Sequence, residues 1–146
     1  MKLMKLMKLM YIALLAMVMM YGKAVAANRV AVKNTTVEVV VFHGVKQCQT
    51  CQAIKKNAQE VATGVAKTLG VGKKVVYKVV DFSKPENKKL AEKYQIAWTS
   101  LLLIKHGADG KETVKNLSEY AIENARTNTE AFRKTLSKDI RTLLKN

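Results

Sequence analysis

Both cysteines of the chain lie in one tetrapeptide, Cys48-Gln49-Thr50-Cys51, and its flanks constrain the fold more than any other feature. Before it runs Val37-Glu38-Val39-Val40-Val41-Phe42, a β-branched, apolar segment that reads as a buried strand. After it, Cys51, Ile54, Ala58, Val61, Val65 and Leu69 recur at helical spacing. The chain must therefore pass from strand to helix within His43 to Gln47 and open the helix on its cysteines. Residues i and i+3 of a first helical turn share a face, which brings two sulfurs within disulfide range. The free N–H groups and the positive end of the helix dipole favour a thiolate there. A Cys-x-x-Cys pair so placed points to thiol–disulfide exchange.

A structural staple is the plainer reading of one cysteine pair in an exported chain. A disulfide closing so short a loop, however, removes little entropy from the unfolded state. The redox reading leads. Within it Cys48 is the expected nucleophile, nearer the solvent end of the helix, with Lys46 adding positive charge and no acid between Val39 and Gln59. Cys51, one turn further in, is the expected resolving thiol. His43 is expected either to face the dithiol as a proton shuttle or to be a strand-end imidazole bonded to backbone. Trp98 and Thr99 are expected to line a recognition surface beside the cysteines, with a core position as the equal alternative for Trp98. Tyr77, Tyr94 and Phe132 are assigned to the core, and His106 to an exposed turn.

Metal binding is the competing chemistry. Two thiolates with His43 and His106 would form a soft four-ligand set. A second Cys-x-x-Cys is absent, and all seven methionines lie within residues 1–20, leaving none for a metal-handling surface further along. No metal and no other cofactor is expected, and no Ser-His-Asp pattern, phosphate-cradling glycine loop or paired-carboxylate motif is present.

Residues 1–26 read as a secretory signal. Lys2, Lys5 and Lys8 form a basic start, Leu9 to Met20 an apolar stretch, and Ala24-Val25-Ala26 a small-x-small cleavage pattern. That stretch is shorter than the ~20 residues of a bilayer-spanning helix. Export, with cleavage after Ala26 into the periplasm, is the expectation, leaving residues 27–146 as a single domain. Losing Lys2, Lys5, Lys8 and Lys23 lowers the formal charge from +15 to +11. The remaining lysines are dispersed and accompany no aromatic-rich motif, so nucleic-acid binding is not expected. The expected partner is a redox protein, with a membrane-bound one among the candidates; the oligomeric state is not legible.

Beyond residues 27–35, read as a leader, the periodicities order the elements. The first strand and helix are followed by a strand over Val75-Val76-Tyr77-Lys78-Val79-Val80. A helix opens at Ser83-Lys84-Pro85-Glu86, with the spacing of a capping box, and runs to about Tyr94. Ser100 to Lys105 is a third strand, turned by Gly107-Ala108-Asp109-Gly110 into a fourth near Glu112 to Leu117. Ser118 to Arg126 is open between a short helix and a loop. A last helix begins near Thr127, with Glu130 completing a second capping box and Phe132, Leu136, Ile140 and Leu143 on its apolar face.

This order, with Cys-x-x-Cys opening the first helix, resembles the thioredoxin fold: an α/β, three-layer arrangement with a central four-stranded mixed sheet flanked by helices. Val79-Val80-Asp81-Phe82-Ser83-Lys84-Pro85 and Leu101-Leu102-Leu103-Ile104-Lys105-His106-Gly107 strengthen the likeness, which covers roughly Val37 to Leu117. A narrower likeness rests on Phe42-His43-Gly44 ahead of the cysteines and Ala125-Arg126-Thr127 before the last helix. It resembles the small exported ArsF-type family, nitrophenyl-compound nitroreductase subunits, and implies a partner activity. Three departures separate the chain from thioredoxins. Trp98-Thr99-Ser100 stands where they place a cis-proline, Val41 stands where they carry a strand-one carboxylate, and Gln-Thr replaces Gly-Pro between the cysteines. The resemblance thus implies the architecture without a thioredoxin's substrates. A redox-inert or metal-binding accessory subunit of the same fold is the alternative function.

Overall fold

The computed structural model describes residues 34–145, with Met4 besides. The leader and cleavage site expected over residues 1–26 lie outside the described residues, Met4 apart. Strand β1 spans Thr35–His43 and helix α1 Gln49–Ala66, followed by β2 over Lys73–Asp81. A 3-10 turn at Pro85–Asn87 leads into the short helix α2, Lys88–Lys93. Strands β3 (Ser100–His106) and β4 (Glu112–Asn116) come next, then helices α3 (Ser118–Asn124) and α4 (Thr129–Lys145). Among the described residues no helix is long and apolar enough to cross a membrane.

The sheet order is β2-β1-β3-β4. β1 pairs parallel with β2 and antiparallel with β3, and β3 pairs antiparallel with β4. Alternation along β1 divides the core in two. Val37, Val39 and Val41 face α1, α3 and α4 and join Ile54, Ala58, Val65, Leu101, Leu103, Phe132, Leu136 and Ile140. Val40 and Phe42 face the other way, onto Val80, Leu102 and Ile104, with Phe82, Tyr94 and Ile96 against them. β1 lies inside the sheet, with helices on one face and Phe82, Tyr94 and Ile96 on the other, which is why Val39 to Phe42 reads as a continuous apolar run. The fold is α/β and thioredoxin-like, as expected, and the undecided segment after β4 is a helix.

Two helix starts differ from expectation. Neither Ser83 nor Thr127 caps a helix. Asp81 Oδ1 accepts both the backbone N–H and the hydroxyl of Ser83, which ties that serine into a turn at the end of β2. These two bonds also hold the Asp81 carboxyl below the usual carboxylate range. Thr127 donates its hydroxyl back to the Glu123 carbonyl, and α4 begins two residues later at Thr129. Helix α2 ends in a Schellman motif: Ile96 N–H donates to the Ala91 carbonyl and Gln95 N–H to that of Glu92. Gln95 takes the left-handed conformation this requires, at φ 55°. The motif turns the chain sharply into the Trp98–Thr99 loop.

His106 is not in a turn. It ends β3, half exposed, with Nε2 3.5 Å from Glu38 Oε2 and Nδ1 3.9 Å from Glu112 Oε2. Glu112 also accepts from Lys93 Nζ at 2.9 Å and from the Tyr94 hydroxyl at 3.1 Å. The Lys93 bond, foremost, holds the Glu112 carboxyl below its ordinary range and raises the Lys93 ammonium. A depressed carboxylate stabilises the fold above its unfolded value and loses that contribution as pH falls through its folded value. Glu112→Gln should therefore lower stability near neutrality by a small amount, since the pair is exposed, and that difference should shrink as the pH falls below about 4, where the native carboxyl is itself protonated. Urea midpoints of the two proteins that fall in parallel from pH 5 to pH 3 would contradict this.

Candidate functional site

The C-terminal end of β1 and the first turn of α1 build the site. Gly44 lies close over Phe82: a Cβ there would stand 3.2 Å from the ring, which would have to give by a few tenths of an ångström. Lys46 and Val45 are exposed on this loop, and Lys55 Nζ bonds Gln47 Oε1 across it. Cys48 is the N-cap residue of α1, in extended conformation. Its Sγ accepts the Cys51 backbone N–H at 3.2 Å, while Gln52 N–H donates to its carbonyl at 3.0 Å. A sulfur thus takes the place an N-cap oxygen usually holds, receiving an otherwise unpaired helix N–H.

Cys48 and Cys51 are joined as a disulfide, with Cα atoms 5.1 Å apart. Their exposure differs sharply. Cys48 is exposed and Cys51 only 6% so, on the face of α1 that carries Ile54 and Ala58 into the core. An attacking thiol from outside reaches one sulfur far more readily than the other. Thr99 Oγ1 lies 3.5 Å from Cys51 Sγ, and because a disulfide sulfur has no hydrogen, the hydroxyl is the donor. Val41 is fully buried in the core beneath α1, so the strand offers no carboxylate here. Trp98 is 55% exposed, which excludes the core reading of its indole. It lines a cleft of about 390 Å³ together with Asn116, Leu117, Ser118, Glu119 and Tyr120.

His43 is buried at the end of β1, and its Nδ1 is 2.8 Å from the Gly44 carbonyl, which it donates to. The backbone-bonded reading of this imidazole is the one observed. His106 pairs in register with Thr36, whereas His43 lies seven residues further along β1, about 23 Å away at strand rise. The four-ligand set of two thiolates and two imidazoles is therefore not assembled. Among the described residues no group of three or more His, Cys, Asp or Glu is disposed to hold a metal ion.

Two contacts at the site carry no local sequence signal. Arg126, in the α3–α4 connection, donates from Nη1 to Gln49 Oε1 at 2.7 Å, bringing a guanidinium to the residue between the cysteines. Asn57, buried on α1, donates to the Ala53 and Ala125 carbonyls at 2.9 and 3.1 Å. Together they fasten the Ala125–Arg126 turn onto the cysteine-bearing helix. Tyr77 and Tyr94 are half-buried, each with its hydroxyl bonded, and Phe132 is fully buried.

The site thus defines a thioredoxin-like α/β protein with a Cys-x-x-Cys pair at disulfide distance. No family model, curated protein or solved structure matches the chain significantly.

Proposed function

We propose that this chain is an exported thiol–disulfide oxidoreductase that exchanges electrons through Cys48 and Cys51 with a dedicated protein partner. The observation that carries the reading is the asymmetry of the pair. An exposed sulfur receives a helix N–H and a buried sulfur waits one turn behind it. In the reduced protein the same N–H and the dipole of α1 would favour the Cys48 thiolate, as would Lys46 and the Arg126 guanidinium held at Gln49. At neutral pH the gain in attack rate is modest. Lowering a thiol pKa from ~8.5 to ~6 raises the thiolate fraction ~30-fold, but nucleophilicity falls ~13-fold at a Brønsted slope of 0.45. The larger benefit is in leaving: when a client's second thiolate attacks the client sulfur of a Cys48–client mixed disulfide, a low-pKa Cys48 departs readily and the client disulfide forms. Such a pair is relatively oxidising.

Export and a periplasmic location rest on residues 1–26, whose basic start, apolar stretch and Ala24-Val25-Ala26 pattern have the order of a secretory signal. A dedicated partner is favoured over free protein disulfides by Trp98-Thr99 in place of a cis-proline segment. The narrower likeness to ArsF-type subunits points the same way.

Equilibrating residues 27–146 in defined glutathione buffers and quantifying the Cys48–Cys51 disulfide tests the reading. A single reversible two-electron transition is expected, with a midpoint between roughly −270 and −120 mV. Absence of a transition, with tight stoichiometric binding of Cu(I) or Zn(II), would establish the accessory-subunit alternative instead. Carbamidomethylation of the reduced protein with iodoacetamide provides a second check. Cys48 should react with a pH midpoint within ~3.5–7.5, and a midpoint near that of a free thiol overturns its assignment.

A further inference from the structure

In the dithiol reaction Cys51 must lose its proton before its sulfur can attack, and its surroundings offer few groups to receive one. The sulfur belongs to a buried residue, Val41 is fully buried in the core, and no acid occurs between Val39 and Gln59. A thiolate formed there without a hydrogen-bond donor would be strongly disfavoured by desolvation. Among the described residues the polar side-chain atom at this sulfur is Thr99 Oγ1, 3.5 Å away. Thr99 is itself only half-buried, so the residue that meets the enclosed sulfur is partly open to solvent.

We propose that Thr99 is a catalytic residue of the dithiol, which conducts the Cys51 proton to solvent and then donates a hydrogen bond to the Cys51 thiolate. The proposal rests on the oxidoreductase reading and assigns the one step that the helix terminus at Cys48 leaves unassisted. In the reduced protein the Cys51 S–H donates to Thr99 Oγ1. The proton passes to that oxygen as the hydroxyl's own proton goes to water. The thiolate left behind accepts from the re-formed O–H, a charge-assisted bond stronger than the neutral contact present in the disulfide. During exchange, Cys48 first attacks a client disulfide, forming a mixed disulfide and releasing one client thiolate. The Cys51 thiolate then attacks Cys48 Sγ. The Cys48–Cys51 bond forms, the Cys48–client bond breaks, and the second client sulfur leaves as a thiolate that takes a proton from water. The dithiol is oxidised by two electrons and the client disulfide reduced by two. A hydroxyl serves here where an ionised carboxylate would also repel the nearby Cys48 thiolate.

Oxidised glutathione in excess over the reduced protein separates the two steps. Mixed-disulfide formation at Cys48 is followed by mass after rapid acid quench, and resolution by release of the second glutathione, both from pH 5 to pH 9. Thr99→Val preserves shape and removes the hydroxyl. It should slow resolution about ten-fold and move its pH midpoint up by about one unit, with the first step changed less than about two-fold. Thr99→Ser should behave as the native protein, and Thr99→Ala should repeat the Val result, which guards against misfolding of a single variant. Resolution by Thr99→Val at the native rate and midpoint overturns the proposal. So does an equal slowing in Thr99→Ser, which would assign the effect to packing of the Thr99 methyl group. A native protein that forms no mixed disulfide at all would refute the oxidoreductase reading itself, a result distinct from either Thr99 outcome.

Discussion

Replacing Cys51 with serine should convert the protein from an exchanger into a trap. With oxidised glutathione, the Cys51→Ser variant is expected to hold one glutathione on Cys48 and to release it only when an external thiol attacks. The magnitude follows from the geometry of the pair. Cα atoms 5.1 Å apart keep the Cys51 sulfur within bonding reach of Cys48, so native resolution is intramolecular. Effective concentrations of well-oriented intramolecular groups exceed by orders of magnitude the millimolar level of an added thiol. Resolution should slow on the order of 10³-fold or more. The reciprocal variant, Cys48→Ser, should take up glutathione barely at all, because its remaining thiol is 6% exposed. Mass spectrometry of both variants after a timed reaction gives the result directly. Equal labelling of the two, or native-like turnover by Cys51→Ser, would reverse the assigned roles of attacking and resolving sulfur.

What could be read from the sequence was the part encoded locally. The order of strands and helices follows from periods of 2 and 3.6, and the apolar runs at Val39 to Phe42 and Leu101 to Ile104 are continuous because β1 and β3 lie inside the sheet. The cysteine pair was legible for the same reason, its two sulfurs being separated by one helical turn. Capping was not legible. Ser83 and Thr127 have the right spacing to a glutamate, but each hydroxyl has a competing acceptor nearer at hand, Asp81 for one and the Glu123 carbonyl for the other. Contacts between distant segments were less legible still. Thr99 meets Cys51 across 48 residues, Asn57 meets Ala125 across 68, and Arg126 meets Gln49 across 77. No periodicity records which loop will face which helix. His106 shows the same limit: only the pairing of β3 with β1 and β4 places it between Glu38 and Glu112 rather than in a solvent-facing turn.

Two of those distant contacts, at Ala125 and Arg126, come from the turn that leads into α4, and Phe132→Ala in that helix is the stability variant with the largest expected effect. Phe132 is fully buried in the larger core, at the first turns of α4, with its ring centroid 6.3 Å from that of Tyr120 on α3. Phe→Ala at such a position removes the transfer free energy of the ring and leaves a cavity, together about 3–5 kcal/mol. That is a large share of the ~5–15 kcal/mol that holds a domain of this size folded. With an unfolding entropy near 2.1 cal/mol/K per residue, the melting temperature should fall by roughly 10–20 °C. The exposed ion pairs around α4, Arg133 with Glu60 and Lys115 with Asp139, cannot offset such a loss, since pairs of this kind contribute at most about 1 kcal/mol each. Helix α4 also backs the turn from which Ala125 bonds Asn57 and Arg126 bonds Gln49. Loosening it should release Arg126 from Gln49 and, in the reduced protein, move the pH midpoint of Cys48 alkylation by iodoacetamide upward at temperatures well below the melt. Circular dichroism melts and alkylation rates on the same samples test both halves of the expectation. A melting temperature within about 3 °C of the native value would show that α4 is not what closes the core.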